Sequence, residues 1–308
     1  MNKFIKNIIL FIAIAIPLYI VLLILFGELM PPFLTKNLKY KKGGIGFMDK
    51  RLSDIKKAKT IDVLFIGSSH TYRAFDPRIF KKKGFNIFNL GSSAQTPIVS
   101  KYLIDEYLNT LEPKKIVLEV YPELLTTDGV ESTLNVISNK KMSLSLIDFS
   151  FKFKNLTIFN TLIFSIYKDL TKGGVINSYN HGPNTDKYIY NGYVESSVVF
   201  KTNKKIEKKR YLKLNKSQLT KLDEIISLLK EKNIPLTLIQ TPITTGKFNS
   251  FTNNKLIDSI LKAKAKYINF NNFLKLKDSL FIDGDHLNQR GVNYFNEKIF
   301  EHIRFIKQ

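Results

Sequence analysis

The chain of 308 residues contains no cysteine, which excludes disulfides, thiolate nucleophiles and zinc–thiolate sites. That absence suits an exported protein without showing export. Histidine is scarce too: only His70, His181, His286 and His302 can serve as imidazole bases or ligands. No second histidine stands at ligand spacing from His286, so neither a metal nor a cofactor is expected. Apart from "KTNKKIEKKRYLKLNK" (201–216) there is no dense basic block, and no nucleic-acid motif accompanies it. The formal charge of +22 therefore reads as a solvated lysine-rich surface, and nucleic acid is not an expected partner. With 44% hydrophobic residues the chain can bury a core, so it is not disordered as a whole.

What is present begins with an uncharged run from Ile8 to Phe26, "IILFIAIAIPLYIVLLILF", behind Lys3 and Lys6. As a helix it spans about 28 Å, close to the thickness of a hydrocarbon core. A cleaved signal peptide is the competing reading, but the run is long for one and no small-x-small site follows. The expected division is a short tail at 1–7, a transmembrane helix at 8–27, a linker at 28–58 and a folded domain at 59–308. Lys36, Lys39, Lys41 and Lys42 follow the helix and outnumber the basic residues before it. Long downstream domains translocate despite such charges, so a single-pass protein with its domain outside the cytoplasm is expected.

Within the domain, "IDVLFIG" (61–67), "FNIFNLG" (85–91), "KIVLEVYP" (115–122) and "IPLTLIQTP" (234–242) read as buried strands that stop at glycine or proline. Between them, 97–111 and 217–232 carry apolar residues at helical spacing. Strands alternating with helices predict a parallel sheet in a three-layer α/β/α sandwich. Residues 124–216 break the rhythm and read as an insertion. It would cover a site, dock a partner or simply extend the structure.

In such sheets ligands bind beyond the carboxyl ends of the strands, and "FIGSSHTYRAFDP" (65–77) lies at one. A serine there is exposed beside helix-start N–H groups, which suits a nucleophile; serines after a glycine are equally ordinary caps. A nucleophilic serine needs a base. His286 sits in "LFIDGDHLNQRG", where Asp283 can fold back to accept the Nδ1 proton and leave Nε2 for the serine. The bland reading is Asp285 as a helix cap in a polar turn, or a metal loop.

Gly67-Ser68-Ser69 resembles the Gly-Asp-Ser block of the SGNH, or GDSL, hydrolase superfamily, and Asp283-Gly-Asp-His286 resembles its closing Asp-x-x-His. The likeness covers about residues 60 to 305 and implies an SGNH-like, flavodoxin-like fold. It makes Ser69 the nucleophile, His286 the base and Asp283 its orienter, with oxyanion-hole N–H groups from Ser69 and Gly91. Two departures stand out: Ser68 replaces an aspartate outside the triad, and "YPELL" replaces the Gly-x-Asn-Asp block whose asparagine completes the oxyanion hole. The same departures, with Arg73 and Asp76-Pro77, resemble membrane-anchored members such as the D-alanyl-lipoteichoic-acid transfer and alginate O-acetylation proteins. That likeness implies an esterase or O-acyltransferase acting on acylated cell-surface glycans, beside a multispanning membrane acyltransferase. Arg73 would bind an anionic group or make a structural ion pair. The other functional class is a catalytically degenerate subunit that serves as an interaction partner in an envelope polysaccharide-modification complex.

Overall fold

The computed structural model describes residues 3–31, 33–44, 46–58, 60–171, 186–198 and 207–305. The chain opens with a long helix, α1 (Lys3–Leu29), followed by α2 (Met48–Ile55). β1 (Val63–Gly67) leads through α3 (Ser69–Ala74) and α4 (Pro77–Lys82) to β2 (Ile87–Gly91), and α5 (Pro97–Leu111) carries the chain to β3 (Lys115–Glu119). Then come α6 (Val130–Asn139), α7 (Leu144–Phe151), α8 (Leu156–Leu170) and a small antiparallel hairpin of β4 (Lys187–Tyr188) and β5 (Val194–Glu195). The rest comprises α9 (Lys216–Glu231), β6 (Leu236–Gln240), α10 (Thr245–Ser250), α11 (Asn254–Lys264), β7 (Tyr267–Asn269) and α12 (Gln289–His302).

β2, β1, β3, β6 and β7 form one parallel sheet in that order. Counting only the sheet's own strands, this is the doubly wound, flavodoxin-like arrangement, and the expected α/β sandwich is what the chain adopts. β1, β2 and β3 are buried at every position, as strands covered on both faces must be. Val63 and Phe65 share a core with Phe75, Phe80 on α4 and Phe295 and Ile299 on α12. Leu64 and Ile66 alternate to the opposite face and are fully buried there too. α5 packs against β1, and α9 against β6 and α5.

β1 ends at Gly67 with φ +148°, where an added Cβ would lie 2.8 Å from the carbonyl oxygen of Glu119. Across the β1–β2 pair, a Cβ on Gly91 would lie 2.6 Å from the carbonyl oxygen of Ser68. These two glycines let the turn after β1 sit tightly between the ends of β2 and β3.

The chain divides into two compact units, Gly43–Ser132 with Ser178–Gln308, which holds the sheet, and Met1–Lys42 with Thr133–Asn177. In the second unit α1 is long and apolar enough to cross a membrane, and Leu23 is its one buried residue. α8 lies beside its C-terminal half, where Leu23, Leu38 and Phe164 form a small apolar cluster.

Candidate active site

The turn after β1 lies where the sheet order reverses between β2 and β3, the crevice that ligands use in doubly wound folds. The two serines of this turn take different parts. Ser68 is fully buried and caps α3, its Oγ accepting the His70 N–H at 3.2 Å. Its own hydroxyl and N–H both donate to Oε2 of Glu119, at 2.8 and 3.2 Å. Ser69 opens α3, so its N–H belongs to a helix's unpaired first turn, and its side chain is only half-buried.

His286 comes from a loop between β7 and α12 that Asp283 folds on itself. Asp283 Oδ1 accepts the N–H groups of Asp285 at 3.0 Å and His286 at 2.8 Å, and Ile282 N–H donates to the His286 carbonyl at 2.8 Å. The bridge between Phe281 and Leu287 closes the loop. The imidazole thereby lands with Nε2 2.7 Å from Ser69 Oγ and Nδ1 2.9 Å from Asp283 Oδ2. Serine, histidine and aspartate, the first two 217 positions apart in sequence, form one continuous chain of contacts.

Asp285 adds a second carboxylate, its Oδ1 3.2 Å from the same Nδ1. It does not cap α12; Asn288 does, accepting the Gly291 N–H at 3.1 Å. Tyr121 OH donates to Asp285 Oδ2 at 3.1 Å and also bonds Glu123, which Lys247 Nζ meets at 3.1 Å. Burial favours the neutral imidazole of His286, but the bonds and charges of Asp283 and Asp285 outweigh it and raise its pKa to about 10. Burial pushes Asp285 up, yet its bond to His286 holds it below the usual carboxylate range.

His70 stands closer to this centre than its place beside Ser69 suggests. Its ring stacks on Tyr121 at 4.3 Å, lies 5.0 Å from the His286 ring, and holds Thr241 Oγ1 at 2.9 Å through Nδ1. Burial first, and then the neighbouring His286, lower its pKa to about 3, so it stays neutral. Glu119, at the end of β3, is pushed up to about 7 by burial, with the Ser68 bonds opposing. Its Oε1 has no hydrogen-bond partner among the described residues. Adjacency in "DGDH" was the available signal for Asp285; nothing local marked Glu119, Tyr121 or His70, which strand order brings in.

Gly91 stands across from Gly67 beside the Ser69 turn. After β3 comes Val120-Tyr121-Pro122-Glu123, with no asparagine. The Arg73 guanidinium forms a two-pronged pair with Asp186, at 2.6 and 3.2 Å, and is largely buried. Of the ion pair and the anion site left open by the sequence, the first is what the fold displays. His302 is exposed on α12 against Phe273, and His181 lies outside the described residues. One ligand atom each from His70, Asp285 and His286 lie within 4.8 Å of one another, but a metal there would displace the Ser69 or carboxylate bond of His286.

No family model and no curated protein matches the chain. Among solved structures it is similar to a GDSL-like lipase from Bacteroides thetaiotaomicron, with 12% identity and a TM-score of 0.40 over 83% of this chain and 96% of that one. It is also similar to a family 3 carbohydrate esterase from Clostridium thermocellum, with 14% identity and a TM-score of 0.38 over 79% of this chain and 94% of that one.

Proposed function

We propose that the protein is a membrane-anchored serine esterase or O-acyltransferase of SGNH type, acting on acyl esters of cell-surface glycans. The observation that carries this reading is the 2.7 Å contact between Ser69 Oγ and His286 Nε2, with the far nitrogen of the ring held by Asp283. His286 in its neutral form takes the Ser69 proton as Oγ attacks the ester carbonyl carbon. The N–H groups of Ser69 and Gly91 hold the oxyanion. As the bond to the leaving oxygen breaks, His286 returns the proton to it and an acyl-serine remains. Water or a glycan hydroxyl then attacks, activated by the same imidazole, and releases acid or acylated glycan. α1 anchors the chain in the membrane with the sheet domain outside the cytoplasm, where a multispanning acyltransferase would supply the acyl group. An activated aryl ester tests the scheme: a burst of one aryl alcohol per chain supports it, and its absence counts against it.

The lost asparagine donor favours a second reading, a non-catalytic subunit of a polysaccharide-modification complex. One such donor is worth about 2.7–4 kcal/mol in an oxyanion hole. On this reading no burst appears and Ser69→Ala leaves complex assembly unchanged.

A further inference from the structure

Taking α1 as the membrane anchor, the chain carries a second surface at the same level. The uncharged run of α1 ends at Gly27, and Glu28 is the first charge after it. α8 runs alongside in the same chain direction: Asn160 Oδ1 accepts the Tyr19 hydroxyl at 2.6 Å, Phe164 packs on Gly27, and Lys168 pairs with Glu28 at 2.5 Å. α8 thus shares the depth of roughly the last ten residues of α1, about 15 Å of helix.

Over that length only one face of α1 is covered. Val21, Leu22, Leu25 and Phe26 on the remaining surface are 41–54% exposed, a bare apolar stripe that belongs in hydrocarbon if α1 does. Whatever is fastened to the covered face lies at the same level. Its polar groups are paired accordingly: Asn160 Nδ2 donates to the Asn37 carbonyl at 3.0 Å, and the Lys39 N–H donates to Thr161 Oγ1 at 2.9 Å.

The turn joining α7 to α8, "FKFKNL" (151–156), precedes Asn160 and so points along α1 toward its N-terminal half. Phe151 is 60% exposed and Leu156 57%. Lys152 and Lys154 between them are exposed too. We infer that the α7–α8 hairpin is a second membrane element, inserted beside α1 from the leaflet where α1 emerges, with Phe151 and Leu156 among the acyl chains and Lys152 and Lys154 snorkelling on their long stems. Continuity with the bare stripe of α1 and the exposed apolar side chains of Phe151 and Leu156 favour lipid as the occupant.

The absence of cysteine allows a direct test. Single cysteines replace Phe151, Leu156, Ile12 on α1 and the exposed Lys255 on α11 in the full chain. Each is spin-labelled in 3:1 phosphatidylcholine–phosphatidylglycerol vesicles and probed with oxygen and a water-soluble nickel chelate. The expected result is a reversed collision ratio, with labels at 151 and 156 favouring oxygen, as at Ile12, and the label at 255 favouring nickel. If the Ile12 label favours oxygen while 151 and 156 favour nickel, or are shielded from both reagents, the hairpin proposal falls and the anchor stands. If the Ile12 label itself favours nickel, the anchor reading fails and takes the hairpin with it.

Discussion

The Asp285 carboxylate lies 3.2 Å from Nδ1 of His286, on the nitrogen that Asp283 already holds at 2.9 Å. Two anions therefore share one imidazole N–H. A triad with a single orienting carboxylate loses roughly 10⁴-fold in turnover when that group is neutralised. Here Asp283→Asn is expected to lose much less, because Asp285 stays within reach, and the double Asp283→Asn, Asp285→Asn variant to lose the full amount. Turnover of an activated ester by the three variants checks this; equal losses in Asp283→Asn and the double variant would make Asp285 a bystander.

The same pair sets a pH dependence. His286 acts as a base only when neutral, and the two carboxylates raise its pKa from the usual value near 6.5 to about 10. Acylation is thus expected to keep rising with pH well above 7. Asp285→Asn removes one anion and moves the limb to lower pH. A pH profile of the pre-steady-state burst reads both; a limb centred at the ordinary imidazole value would contradict the assignment.

Ser68 donates twice to Glu119, which burial makes a weak acid of pKa about 7. The folded chain thus keeps a proton there that the unfolded chain releases near 4.5. Wild type is expected to lose stability as pH rises from 4.5 to 7, by up to about 3 kcal/mol, while Glu119→Gln accepts the same bonds and does not titrate. Denaturant unfolding at pH 4 and pH 8 measures it: the variant's advantage should grow between the two, and a constant difference would show that folding leaves the Glu119 pKa unshifted.

Gly91→Ala would put a Cβ 2.6 Å from the Ser68 carbonyl oxygen, a backbone atom that cannot rotate away. It is expected to cost about 1–3 kcal/mol of stability and to disturb the Ser69 turn. Unfolding midpoints and burst amplitude test this together, and wild-type values for both would mean that β2 relaxes freely.

Much of this was legible in the residues. β1, β2, β3 and β6 are each bounded by glycine, proline or a polar break, and Asp283 with His286 carry their relationship in a three-residue spacing. β7 was missed because Tyr267-Ile268-Asn269 is too short to show a period. Nothing in the residues around His70 marks its neighbours; only the side-by-side placing of β3 and β6 brings Tyr121 and Thr241 to its ring. The pairing of α8 with α1 was hidden for a similar reason. An aromatic amphipathic helix shows that it needs a partner, not which helix more than a hundred positions away supplies one.

The most direct measurement is covalent labelling of the folded full chain with a fluorophosphonate probe, followed by mass mapping of the modified residue. One label is expected, on Ser69, lost in Ser69→Ala, strongly slowed in His286→Ala, and retained in Ser68→Ala that still folds. A folded wild-type chain that takes up no label, or takes it up on another residue, would contradict it.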